Sequence, residues 1–346
     1  MRIGSGRHQY DWIDDWARIP DSAARRGGWA HPGIAVTSGG EVVTFHPGEP
    51  ALLFLAPDGR LLRSLPTDLT EGHGITCARE GETDYLWLAD PGSKGIRVGD
   101  ELQRKTGPGR VIKTTLDGQV VQTLERPDLP AYSEGKYAPT SVAVHAEQFG
   151  GNGDVWVADG YGQNYVHRYS RFTKAGDYVG SINGSEGSSG AFTCPHGIWI
   201  DYRRADPELY IADRGNRQVQ VYDLDGAYKR AFGQEFLSSP SGFARDGEFL
   251  IVAELWARLA ILDAEDRLVC YLGDNSAVRT MPGYPNELDE RNVACRSTRL
   301  RPGLFNSPHG IAADGAGNVY IAEWLIGGRT TKLAKVDSDS GSLPRS

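Results

Sequence analysis

An all-β fold, a six-bladed β-propeller of four-stranded blades, follows from three features of the sequence. A strand-like run ending in Ala-Asp or Ala-Glu recurs along the chain. YLWLAD ends at Asp90, DVWVAD at Asp159, ELYIAD at Asp213, FLIVAE at Glu254 and NVYIAE at Glu323, with EVVTFHP, ending at Pro47, as a degenerate first copy. A second run precedes each copy: HPGIAV from His31, HGITCA from His73, PTSVAV from Pro139, HGIWID from His196, PSGFAR from Pro240 and HGIAAD from His309. Two further strands follow most copies around an Asp-Gly or Glu-Asp pair, residues that suit a tight hairpin turn. A unit of this size cannot bury both faces of its own sheet, so successive units stack around an axis and cover one another.

Composition agrees. The 44 glycines, 19 prolines and 10% aromatic residues favour many short strands joined by turns, and no long helix is expected. A formal net charge of −8 lacks the Lys/Arg footprint that phosphate backbones require, so nucleic acid is not an expected partner. No apolar run reaches the roughly 18 residues of a membrane helix, and the opening MRIGSGRHQYDWIDDW has no apolar signal core, so a cytoplasmic location without membrane attachment is expected. Cys77, Cys194, Cys270 and Cys295 are scattered without CxxC pairing, which argues against a disulfide framework. Cys194, two residues before His196, reads as a small buried thiol, with metal ligation as the alternative.

Taken in order, the blades of this single domain, 1–346, fall near 31–65, 73–125, 139–182, 196–232, 241–273 and 309–337. The last unit lacks a fourth strand, because only the polar run DSDSGSLPRS follows it; the segment from Gln9 to Ile19 is expected to supply that strand and close the ring. Insertions interrupt the pattern at 92–110, 183–193 and 274–306. The last is too long for a simple connector and reads either as a lid or rim over one face or as a surface excursion.

The tripeptide His-Gly-Ile occurs at His73, His196 and His309, at the start of the inner strands of blades two, four and six. Alternate blades of six are a third of a turn apart. Three imidazoles at one height therefore point at one axial point, as a three-histidine metal site with an open position demands. The plain alternative is a repeat-geometry role, each histidine bonding to the neighbouring blade. The intervening blades place His31, Thr140 or Ser141, and Ser241 at the matching height, small residues in blades three and five leaving room for a ligand. The repeated acids at the ends of the second strands read as architectural, whereas Tyr161 and Arg214, which follow two of them, are not repeated and read as chemistry.

On these residues the chain resembles the peptidyl-α-hydroxyglycine α-amidating lyase family within the NHL-repeat propellers. The resemblance covers nearly all six blades and implies that His73, His196 and His309 are zinc ligands. It also implies that Tyr161, in Asp159-Gly160-Tyr161, is the catalytic tyrosine and that Arg214, in Ala212-Asp213-Arg214, is an active-site arginine. Three positions depart from the family pattern. Pro47 stands where the family has a second active-site arginine, Gly162 replaces a disulfide cysteine, and Gly310 replaces a calcium-ligating aspartate, which argues against a structural calcium. The implied activity is cleavage of a carbon–heteroatom bond at a hydroxylated carbon.

The residue chemistry supports such a reading independently. A divalent transition metal, best zinc, on three neutral imidazoles keeps positions free for a substrate hydroxyl, carbonyl or carboxylate. Tyr161 suits a general base if a cation stabilises its phenolate, and Arg214 suits a substrate carboxylate. A small molecule, one bearing a carboxylate among the candidates, is the expected partner. Two alternatives stand: a calcium-dependent lactonase or hydrolase of the six-bladed kind, which uses oxygen ligands, and a non-catalytic NHL-repeat interaction module.

Overall fold

The computed structural model describes residues 1–171 and 176–336. Residues 172–175 and 337–346 lie outside the described residues. Blades one to five each hold four antiparallel strands, and the sixth holds five. Blade four shows the pattern, running outward from the axis through Pro195–Asp201, Glu208–Asp213, Gln218–Tyr222 and Tyr228–Phe232. The first strands of the six blades pack against one another in a closed ring.

Burial explains why the second strands carried the repeat so legibly. Val155–Ala158 and Glu208–Asp213 are buried along their whole length, because neighbouring blades cover both faces of each sheet. An outer strand such as Leu61–Pro66 alternates between half-buried and exposed positions. The core accordingly divides into six apolar clusters, each formed between two adjacent blades. That between blades four and five, for example, joins Tyr210 and Val221 to Phe243 and Leu250. The expected hairpin turns are present: Gly59, Gly118 and Gly226 adopt φ of +88°, +84° and +91°, and Asp266, which takes glycine's place in blade five, has φ +66°.

The N-terminus closes the ring with different bounds from those expected. His8–Ile13, rather than 9–19, pairs with Arg329–Lys335, and Arg2–Ser5 adds a fifth strand outside it. After Ile13 the chain turns into the seam between blades six and one. Trp16 donates its backbone N–H to Thr330 O there and its indole N–H to Pro57 O. The short helix Ala23–Gly27 is the one α-helix among the described residues, and no helix is long and apolar enough to cross a membrane.

Two insertions interlock. The first folds into a hairpin of Ser93–Val98 and Glu101–Thr106, and the 274–306 segment braces it. Arg97 donates to the carbonyls of Val293 and Ala294 and pairs with Asp289. The 183–193 segment is a loop that sends Phe192 into the core between blades three and four.

The repeated acids are architectural, and they bind the entry loop of their own blade. Asp90 accepts from the backbone N–H groups of Thr70 and Glu71, Glu254 from Ser238 and Ser239, and Glu323 from Asn306 and Ser307. Asp159 and Asp213 take Ala138 and Thr193 in the same way. In the degenerate blade one, His46 replaces the acid and its Nδ1 accepts from the N–H groups of Gly48 and Glu49.

Candidate metal centre

His73, His196 and His309 sit on the first strands of blades two, four and six or at their threshold, and the neighbouring odd blade holds each ring. His73 Nδ1 lies 2.7 Å from Thr140 O, His196 Nδ1 2.8 Å from Ser241 O, and His309 Nδ1 3.0 Å from Pro32 O. A carbonyl accepts only, so each Nδ1 carries the proton and each Nε2 presents a lone pair. The glycine after each histidine has the same origin. A Cβ on Gly74, Gly197 or Gly310 would meet Thr140 O, Ser241 O or Pro32 O at 2.6, 2.5 and 2.6 Å. The carbonyl that orients the imidazole is thus the one that admits only glycine next to it, which accounts for the His-Gly pair.

The Nε2 atoms converge. His309 Nε2 is 3.1 Å from His73 Nε2 and 3.2 Å from His196 Nε2. With His31 from blade one, the four histidines bring ligand atoms within 4.8 Å of one another. Three inward lone pairs at this spacing repel unless a cation lies between them. Ligands about 2.0–2.1 Å from a tetrahedral ion are themselves about 3.3 Å apart, so the donor set fits a metal ion. Burial foremost holds His31, His73 and His196 well below the ordinary histidine range and brings His309 to about 3. All are in the neutral, ligating form at pH 7. The Nδ1 bonds to neighbouring blades give these residues a repeat-geometry role, and the same bonds leave each Nε2 able to hold a metal ion.

Tyr161 and Arg214 are brought to this cluster. Tyr161 Oη lies 3.1 Å from His31 Nε2, 3.1 Å from His196 Nε2 and 3.3 Å from His73 Nε2. Arg214 reaches Tyr161 Oη with both terminal nitrogens at 3.4 Å and Cys194 Sγ at 3.1 Å. Burial pushes the Tyr161 phenol up to about 12 against the opposing pull of Arg214, so by itself it stays protonated at pH 7. Arg214 forms no ion pair with an acid among the described residues, which removes the blade-to-blade salt bridge as its explanation and leaves a cation facing a cavity. Cys194 is not in the histidine cluster; its thiol, raised by burial, packs against Arg214.

A cavity of about 500 Å³ opens above the cluster, bounded by His31, Tyr161 and Arg214 below and by Trp29, Trp324 and the 93–106 hairpin around it. On the far side of the histidines the axial channel, about 360 Å³, is lined by the six first strands. The 274–306 segment reaches the cavity only through the hairpin it braces. Sequence reasoning missed Glu71 and Lys94, a buried ion pair on the cavity wall. No motif links an acid two residues before a histidine to a lysine in an insertion.

Known proteins share these features unevenly. No protein-family profile matches the chain. It is 29% identical over 244 residues to human NHL repeat-containing protein 3, covering 67% of this chain and 63% of that protein. It is 26% identical over 268 residues to Drosophila melanogaster peptidyl-alpha-hydroxyglycine alpha-amidating lyase 1, covering 72% and 42%. The chain therefore spans less than two thirds of the length of these relatives. Among solved structures, a streptogramin B lyase superposes with a TM-score of 0.54 at 13% identity, covering 95% of this chain and 99% of that one. A gluconolactonase from Xanthomonas campestris superposes with a TM-score of 0.55 at 12% identity, covering 96% and 94%. At such identities these two show the fold alone.

Fold and site together define a six-bladed propeller with a buried histidine cluster on its axis that can hold a metal ion. Within that class, the chain is similar to an NHL repeat-containing protein and to an amidating lyase, at 29% and 26% identity.

Proposed function

We propose that the protein is a zinc-dependent lyase acting on a small carboxylate with a hydroxyl or carbonyl beside the scissile bond. The observation that carries this reading is the convergence of the His73, His196 and His309 Nε2 lone pairs beside Tyr161 Oη and an Arg214 without an acid partner among the described residues. Zinc, when bound, supplies a Lewis acid for the substrate hydroxyl or carbonyl and a positive charge beside the Tyr161 phenol. Arg214 holds the substrate carboxylate and lowers the cost of the Tyr161 phenolate. Tyr161 takes the proton of the substrate hydroxyl, the carbon–heteroatom pair leaves with the heteroatom as the carbonyl forms, and the proton passes to the leaving group. No electron acceptor is needed.

The amidating lyase among the relatives supports the class of chemistry, and the all-nitrogen cluster speaks against a calcium lactonase, since calcium takes oxygen ligands. The test is turnover of a panel of 2-hydroxy carboxylates that carry an acylamino or alkoxy leaving group on the hydroxylated carbon, by the zinc-loaded chain, beside Tyr161→Phe and His309→Ala. Tyr161→Phe is expected to keep zinc at one equivalent and lose about 10²- to 10⁴-fold in rate, and His309→Ala to lose both zinc and rate. A wild-type chain that holds no metal and turns nothing over is a binding module, and the lyase reading fails.

A further inference from the structure

The wall of the cavity carries a group that the lyase reading does not use. Glu71 is 1% exposed and lines the cavity two residues before His73. One of its carboxylate oxygens, Oε2, pairs with Lys94 of the insertion hairpin. The other, Oε1, is buried and has no hydrogen-bond partner among the described residues. Lys94, 4% exposed, also lies 5.6 Å from the centre of the Phe45 ring, so the hairpin is pinned to blade one as well as to Glu71. A buried acceptor left unmatched is costly, and one on a cavity wall is placed to take a donor from whatever occupies the cavity.

The rest of the wall limits what that donor belongs to. Trp29 and Trp324 stack at 5.5 Å with 21° between their planes, and His31 lies 5.4 Å from Trp324, giving an apolar plate beside the polar floor. Arg214, with no acid partner among the described residues, takes an anion. A ligand that satisfies all three carries a carboxylate for Arg214, a hydroxyl for Glu71 Oε1 and a flat C–H face for the indoles.

Resting on the lyase reading for the role of Arg214, we propose that the cavity is a sugar-acid site: its ligand is a polyhydroxylated ring carboxylate, and Glu71, held by Lys94, is the residue that selects for the hydroxyl. Glu71 accepts the hydroxyl proton in a charge-assisted hydrogen bond, and the stacked tryptophans carry the ring.

Calorimetric titration of the full chain, with and without zinc, against D-glucuronate, D-glucose and cyclohexanecarboxylate tests this. Glucose lacks the carboxylate and cyclohexanecarboxylate lacks the hydroxyls. Glucuronate is expected to bind at least about 10-fold more tightly than either, because one charge-assisted hydrogen bond is worth roughly 10- to 100-fold. The double variant Glu71→Leu/Lys94→Met removes the pair without leaving a lone buried charge. It is expected to keep wild-type zinc stoichiometry and cyclohexanecarboxylate affinity while glucuronate falls to the level of cyclohexanecarboxylate. If that protein does not fold, Glu71→Gln is read in its place, with a smaller loss in the same direction. Equal binding of glucuronate and cyclohexanecarboxylate to the wild type, no glucuronate binding, or an unaltered glucuronate affinity in the variant overturns the proposal. Zinc content measured on the same samples separates the two failures: a chain without zinc sinks the lyase reading, and a zinc-loaded chain indifferent to hydroxyls sinks this one alone.

Discussion

Replacing His309 by alanine tests the centre most directly, because His309 Nε2 is the atom that meets both other ring nitrogens, at 3.1 and 3.2 Å. Zinc sites built from protein ligands are worth about 10–16 kcal/mol, so a single ligand accounts for roughly 3–4 kcal/mol, or about 10²- to 10³-fold in Kd. The loss has a thermodynamic echo in stability. Free zinc at about 1,000 times the wild-type Kd stabilises the wild type by about 4 kcal/mol, whereas for a variant weakened about 1,000-fold the same zinc stands near Kd and contributes about 0.4 kcal/mol. The zinc-free variant should also lose about 1–3 kcal/mol, because Pro32 O gives up its buried donor. Competition with a chelating indicator gives the affinities, and denaturant unfolding with and without zinc gives the stabilities. If His309→Ala binds zinc as the wild type does, or if zinc leaves wild-type stability unmoved, the lone-pair argument is wrong.

Further outcomes follow from the same geometry. Gly197→Ala places a Cβ 2.5 Å from Ser241 O and 3.0 Å from Gly242 Cα, backbone atoms that can move only with their strand. A destabilisation of about 4 kcal/mol with weakened zinc binding is expected in urea unfolding. Gly315→Ala, with nothing within 4 Å, serves as the neutral control. Asp213→Ala strips the shared acceptor from Thr193 N and from the side chains of Asn216, Gln218 and Gln220, and should cost about 4 kcal/mol or more. Asp213→Asn, which keeps an acceptor oxygen, should lose markedly less, and equal losses would count against the architectural role. His167, buried between Tyr132 and Ser181, is brought by burial to about 3. Its folded pKa lies below the unfolded value, so the stability it contributes is complete above pH 6.5 and is lost as pH falls toward 3. Between pH 7 and 5 that amounts to about 2 kcal/mol. Comparing the pH dependence of wild type and His167→Gln by denaturant unfolding isolates it, the variant losing about 2 kcal/mol less.

The blades were legible because adjacent blades bury both faces of each second strand, which imposes an apolar run on every copy, and an acid that holds the entry loop ends that run in blades two to six. The closing strand was legible as a need, but its bounds were not. Whether residues 14–19 continue the strand or turn into the neighbouring seam depends on Trp16 finding Pro57 O and Thr330 O, partners far away in the chain. Blade one's His46 was unreadable because, at the position where the other blades carry an acid for the entry loop, an imidazole nitrogen instead holds the loop that follows it.

What the sequence by itself determined is the ring: repeat spacing puts His73, His196 and His309 on alternate blades, and a closed six-fold array then leaves those imidazoles one place to meet. It also singled out Tyr161 and Arg214, as residues that break an otherwise regular pattern. Only the tertiary structure decided the proton positions, since these depend on which carbonyl of the adjacent blade stands behind each ring. It alone joined Glu71 to Lys94, because a hairpin inserted in blade two folds back over the axis and buries a charge pair that chain order keeps 23 residues apart. Local patterns record what every blade must do. Contacts made once, between an insertion and the rim, leave no period to read.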